Sequence, residues 1–135
     1  MKPGDIVQKM YDGDAFSQWL GIEVIDVDTG SCQLKMRVRK EMTNGFDVAH
    51  GAITYALADS ALAFASNSHG RKSLSVETSI SHTRPVFTGD TLTAVAIEKN
   101  LSKVLGIYEV IINNQDNKKV ALFKGTVFRK KEEWT

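Results

Sequence analysis

The sequence predicts an α+β fold, one antiparallel sheet with a long helix packed in its concave face. Three observations predict it. From residue 32 to 39, apolar and polar side chains alternate with a period of two. Residues 51–68 form an alanine-rich apolar run, too long for one strand. After residue 70, four apolar segments follow one another with turn residues between them. The 135 residues carry no internal repeat, low-complexity tract or linker, so a single domain over 1–135 is expected.

In order along the chain, residues 4–19 are predicted as one short amphipathic helix. Ile6, Val7, Met10, Tyr11 and Phe16 lie at loose helical spacing, with Gly13 a weak point. A strand over 22–28 carries Ile22, Val24 and Ile25, and Asp28-Thr29-Gly30 turns the chain. In the next strand Cys32, Leu34, Met36 and Val38 form the buried face and Gln33, Lys35, Arg37 and Arg39 the wet one. A loop over 40–50 carries Thr43-Asn44-Gly45.

The segment from Gly51 to Ser68 is read as a helix because alanine favours one. Apolar residues surround nearly its whole circumference, so burial on most sides is expected. At about 27 Å, and with a central Asp, it is no membrane span. His69-Gly70 is expected to end it, with Gly70 in a C-cap role. Strands are predicted over about 73–84, 90–101, 103–114 and 119–130, with a hairpin turn at Asn114-Gln115-Asp116-Asn117.

Seventeen basic and 16 acidic side chains leave a formal net charge of +1, so no strong field draws the chain to nucleic acid or an anionic membrane. The one cysteine, Cys32, cannot form an internal disulfide. With no apolar leader in MKPGDIVQKM, it points to a reducing, cytoplasmic setting. His69 and His82 have no metal-ligand spacing and are read as satisfied surface or loop histidines; no metal or cofactor is expected. Trp19 and Trp134 are read as packing residues.

Asp59 needs an explanation. It stands mid-way along the most apolar helix, where Asp is a poor helix former and an unpaired carboxylate is costly to bury. Tyr55, Ala56, Leu62 and Ala63 are its neighbours one turn away, and the alanines leave space for substrate or water. Helix context alone leaves two readings open: a functional acid, or a structural one paired with a lysine or arginine of another strand or subunit. Gly51 adds a second feature. At the helix start the backbone N–H groups lack partners and the dipole is positive, which suits a developing oxyanion. Asp59 lies about 12 Å further along the helix. That is too far for both groups of one chain to act on one carbonyl, so a second subunit is expected to complete the site.

Asn44-Gly45-Phe46-Asp47-Val48-Ala49-His50-Gly51-Ala52, followed by Leu57-Ala58-Asp59-Ser60-Ala61, resembles the signature of hotdog acyl-CoA thioesterases of the phenylacetic acid degradation (PaaI) type. The likeness continues through Phe64-Ala65-Ser66-Asn67-Ser68, Arg84-Pro85 with Gly89-Asp90-Thr91-Leu92-Thr93-Ala94, and Val120-Ala121-Leu122-Phe123-Lys124-Gly125. It implies a sheet wrapped around the long helix, and dimers with two interfacial sites that pair into tetramers. It implies hydrolysis of an acyl-CoA, such as phenylacetyl-CoA or a hydroxylated derivative, to free acid and coenzyme A.

By the same resemblance Asp59 is the nucleophile or general base, and the Gly51 N–H polarises the carbonyl. Asn44 binds near that carbonyl or orients water, and Ser75 helps place water. A one-residue slip to Val76 would reverse the face of Ser75. His50 braces the loop and helix start beside the substrate, and Ala52 stands where the family often has a second glycine, stiffening the tip. Arg84, with Lys99 and Lys103, is a candidate for the coenzyme A phosphates. The rival readings are a hydratase, whose histidine and acid pattern is absent here, and a non-catalytic acyl-CoA-binding hotdog protein.

Overall fold

The computed structural model describes residues 1–135. Two short helices, α1 (Pro3–Asp12) and α2 (Ala15–Leu20), precede strands β1 (Glu23–Asp28) and β2 (Ser31–Arg37). A 3-10 turn at Lys40–Met42 leads to the long helix α3 (Gly51–Asn67). Strands β3 (Arg71–His82), β4 (Thr91–Leu101), β5 (Leu105–Asn113) and β6 (Lys119–Glu133) complete the chain. All six strands form one antiparallel sheet in the order β1-β2-β4-β5-β6-β3, and α3 packs in its concave face. This is the hotdog arrangement that the resemblance implied.

The alternation in β2 orients the sheet as expected: Cys32, Leu34, Met36 and Val38 are buried. A cross-strand row runs Leu34–Ala94–Ile112–Ala121–His82, and a second runs Cys32–Ala96–Val110–Phe123–Ile80. Side chains in one row share a face, so these rows line the concave side. Ala94 and Ala96 keep its centre shallow, and α3 answers with Ala58, Ala61 and Ala65, all fully buried. Small residues on both surfaces bring helix and sheet close together, and Leu57, Leu62 and Phe64 fill the core around them. Cys32 sits in this seam. Its Sγ donates to the Ala61 carbonyl at 3.3 Å, and burial pushes its thiol up to about 12.

Two features differ from those expected. The segment 4–19 is two helices, not one, because Asp14 caps a second one. Its carboxylate accepts the Ser17 N–H at 2.9 Å, and Asp is among the strongest N-caps. Phe16 consequently lies on the outer surface, stacked on Trp19, rather than on a continuous apolar stripe. At the end of α3 the cap is Ser68, and Gly70, with φ +103°, supplies the reversal into β3 just beyond. Helix α3 is buried on most sides, as expected, but one strip stays open: Ala52, Ala56, Asp59, Ser60 and Ala63 line a surface cleft together with Tyr55, whose ring reaches back to the sheet.

The edge strand β3 carries a bulge. Ser75 pairs with Val127 and Glu77 with Thr126, so Val76 is an extra residue, left without a partner on β6. Leu74 and Val76 are 65% and 61% exposed on this free edge. No helix of the protein is long and apolar enough to cross a membrane.

Candidate active site

The uncovered face of α3 forms one wall of a cleft of about 510 Å³; α2 forms the other. Ala52, Tyr55, Ala56, Asp59, Ser60 and Ala63 come from α3, and Asp14, Phe16 and Ser17 from the α2 end. The cleft is apolar except around Asp59. Tyr55 is fixed by a hydroxyl hydrogen bond to Thr78 and by an edge-on contact with Phe123 at 5.5 Å. Ser60 is tied to α2 through Ser17, whose hydroxyl lies 2.8 Å from Ser60 Oγ and donates to Asp14 Oδ2 at 2.6 Å.

Asp59 is exposed in the single chain, which corrects the expected buried acid. It has no hydrogen bond or ion pair within the chain, so the structural reading, an acid paired with a lysine or arginine of another strand or subunit, finds no such partner on another strand of this chain. The cleft walls nonetheless shield it in part. Desolvation by the apolar walls, and secondly the negative charge of Asp14, raise its pKa above the ordinary carboxylate value. Leu62, expected at its side, points into the core; the cleft-side neighbours are Tyr55, Ala56 and Ala63.

Asp14→Asn should therefore lower the pKa of Asp59. The substitution removes the like charge and keeps an N-cap for α2, since Asn caps as well as Asp. Carbon-detected NMR titration of the Asp59 carboxyl should place its midpoint below that of the wild type. An unchanged midpoint would leave desolvation as the sole cause.

The start of α3 opens onto a second cleft of about 330 Å³, lined by Val48, Ala49, Gly51, Thr54, His82, Thr83, Arg84, Pro85 and Val86. His50 is the N-cap. Its Nδ1 accepts the Ala52 N–H at 3.0 Å, its N–H donates to the Met42 carbonyl at 2.7 Å, and its carbonyl accepts the Ile53 N–H at 2.8 Å. The Gly51 N–H is left without an acceptor in the chain. Arg84 is exposed and makes no ion pair, whereas Lys99 is paired with Glu109 at 3.8 Å.

The two clefts share no residue. Gly51 and Asp59 are therefore held at opposite ends of two turns of helix, and a single chain brings neither to the other. Asn44 and Ser75 line neither cleft. Asn44 Oδ1 is engaged in its own loop, accepting the Phe46 and Val48 N–H groups at 2.9 and 3.4 Å. Ser75 is exposed beside the bulge on the free edge. Ala52 lines the Asp59 cleft although its N–H belongs to the Gly51 end. Sequence reasoning misses Asp14, Phe16 and His82. An Asp three residues before Ser17 is a readable capping signal for the first two; His82 becomes visible only when the sheet is assembled.

Residues 46–121 match the family model described as the thioesterase superfamily. The chain belongs to the thioesterase superfamily. Among its relatives is the acyl-coenzyme A thioesterase PaaI of Escherichia coli (strain K12), 42% identical over 120 residues, covering 89% of this chain and 86% of that protein. The structure of the E. coli PaaI protein from the phenylacetic acid degradation operon superposes with a TM-score of 0.96, covering 98% of this chain and 96% of that one at 38% identity. A variant of the phenylacetic acid degradation protein PaaI of Thermus thermophilus gives a TM-score of 0.84 over 87% of this chain and all 100% of the other, at 38% identity. The PaaI-type hotdog likeness thus extends over both clefts.

Proposed function

We propose that this thioesterase-superfamily chain hydrolyses acyl-CoA thioesters at sites shared between two copies, each site joining Gly51 of one chain to Asp59 of the other. The observation that carries the reading is the separation of an unpaired N–H donor and an unpaired, pKa-raised carboxylate into two clefts on one helix. The thioester carbonyl sits on the Gly51 N–H, at the positive end of α3. The ionised Asp59 either attacks the carbonyl carbon or takes a proton from the water that attacks it. On the base route the tetrahedral intermediate collapses with the C–S bond broken, the proton taken by Asp59 passes to the departing thiolate, and free acid and coenzyme A leave. On the nucleophilic route collapse expels the thiolate and leaves an acyl anhydride on Asp59, which water then hydrolyses to the free acid, restoring the carboxylate.

Phe16, Tyr55 and the alanines form an apolar wall beside Asp59 suited to the acyl group, and two aromatic rings there favour an aryl acyl chain such as phenylacetyl. Ala52 narrows this wall at its helix-tip end. Arg84 offers an unpaired guanidinium for the phosphates, and His50 holds the helix tip rigid. Asn44 keeps its carboxamide N–H₂ free to reach the carbonyl or a water, and Ser75, exposed beside the β3 bulge, serves to place water. Joining the β3 edges of two chains buries Leu74 and Val76 and satisfies the free backbone groups of the edge. Exposed Ile97 and Leu122 on the outer face of the sheet support pairing of two such dimers. A lone buried thiol agrees with a cytoplasmic setting.

The test is thiol release from a panel of acyl-CoAs, from acetyl to phenylacetyl, by wild type and Asp59→Asn. Cleavage by the wild type, largely lost in the variant, supports the reading. No cleavage of any thioester sinks it and leaves the acyl-CoA-binding alternative.

A further inference from the structure

An oxyanion is best held by converging donors placed before the charge develops. The tip of α3 supplies only one, because His50 has taken the N–H groups of both Ala52 and Ile53. A second polar group does face the tip. His82 ends the cross-strand row that begins at Leu34, so the pleat turns its ring inward to the start of α3. Its Nδ1 lies 3.2 Å from Thr54 Oγ1, and Thr54 is buried on the first turn of α3. The other nitrogen, Nε2, has no partner in the chain and stands 3.3 Å from where a Cβ on Gly51 would be. A side chain at position 51 would be a tight fit against the imidazole, and glycine leaves that space open. Nε2 and the Gly51 N–H thus border one 330 Å³ cleft, with Arg84 at its side.

We propose that His82 is the second donor of the oxyanion site, its Nε2–H aimed at the thioester oxygen beside the Gly51 N–H. The inference rests on the thioesterase reading. In the proposed state Nδ1 accepts the Thr54 hydroxyl proton, which leaves the ring proton on Nε2. The hydroxyl then gives up the 3.1 Å hydrogen bond that it otherwise donates to the Gly51 carbonyl. His82 transfers no proton in the reaction. It donates a hydrogen bond that strengthens as negative charge gathers on the carbonyl oxygen and weakens as the C–S bond breaks. His82 is exposed at the cleft, so its Nε2 is open to a ligand there, while Nδ1 is held by the buried Thr54 hydroxyl.

The test is steady-state hydrolysis of acetyl-, hexanoyl- and phenylacetyl-CoA by wild type, His82→Leu, His82→Gln, Thr54→Val and Asp59→Asn, with thermal melts of each. His82→Leu should lower kcat about 100-fold with little change in KM, the loss typical of one oxyanion donor. His82→Gln, whose amide N–H can take the place of Nε2–H, should recover about tenfold of that loss, and Thr54→Val should show a smaller fall in kcat. Three results would overturn the inference: a leucine variant with nearly wild-type kcat, a defect confined to KM, or a glutamine variant as slow as leucine. Asp59→Asn separates the two levels. If it turns over as fast as wild type, or if the wild type cleaves none of the three, the thioesterase reading fails and the role of His82 fails with it. If Asp59→Asn is inactive and His82→Leu is not impaired, only the role of His82 fails.

Discussion

Asp59→Asn is expected to fold, to bind acyl-CoA and to lose turnover by about 100- to 10,000-fold, the range that a positioned carboxylate supplies as base or nucleophile. Asn keeps the shape of the side chain and removes the charge. Both routes open to Asp59 require the ionised carboxylate, so the loss should fall on kcat rather than KM. The same substitution should raise thermal stability at neutral pH. The sign follows from linkage: a folded-state pKa raised above its ordinary 3.8 means that the folded chain holds the proton more tightly than the unfolded one. The resulting stabilisation is fully present below the unfolded pKa and is lost as pH rises through the folded one. At neutral pH the ionised Asp59 is therefore a burden that Asn relieves, and the advantage of the variant should shrink on acidification. Thermal melts at roughly neutral and acidic pH check this beside the assay. Equal stability at both pH values would mean that desolvation does not govern the carboxylate.

Breaking the edge of the sheet should be as damaging to activity as removing the carboxylate. Leu74→Lys with Val76→Lys places like charges at a seam where two β3 strands would meet, a device by which natural edges avoid pairing. Light scattering should show the mass fall to that of one chain, and hydrolysis should fall with it, because one chain holds Gly51 and Asp59 in separate clefts. A mixing experiment isolates the cause. Gly51→Val chains and Asp59→Asn chains should each be inactive alone and regain activity together, since a mixed dimer contains one site with an intact Gly51 and an intact Asp59. Retained activity in the lysine variant at monomer mass, or no recovery on mixing, would place both groups of a site in one chain.

The sheet is legible in the sequence because its signal is local. Cys32, Leu34, Met36 and Val38 declare their face two residues at a time, and the later strands are bounded by turn residues. The long helix is equally clear, but its exposure is not. An alanine-rich segment looks apolar all round whether its outer face meets a sheet, a ligand or another chain, so sequence alone cannot tell the open face around Asp59 from core. The break at Gly13-Asp14 is hidden for a different reason. The apolar spacing of Ile6 through Phe16 continues across it, and only the capping chemistry of Asp14 on Ser17 ends one helix and starts the next. His82 looks like an ordinary loop histidine in sequence because its partners, Thr54 and Gly51, lie about 30 residues away and meet it only once β3 is laid at the edge of the sheet.

The seam between helix and sheet gives this protein an internal clock for its own opening. The Cys32 sulfur is sealed between β2 and α3, and its thiolate is suppressed by burial while the fold is closed. In the native state it is expected to react slowly with disulfide reagents, so a thiol-release assay should report coenzyme A with little background from the protein. Reagent can reach Cys32 only when α3 lifts from the sheet. The slow rate of its alkylation then counts excursions of the core, and a bound ligand that pins α3 should slow it further.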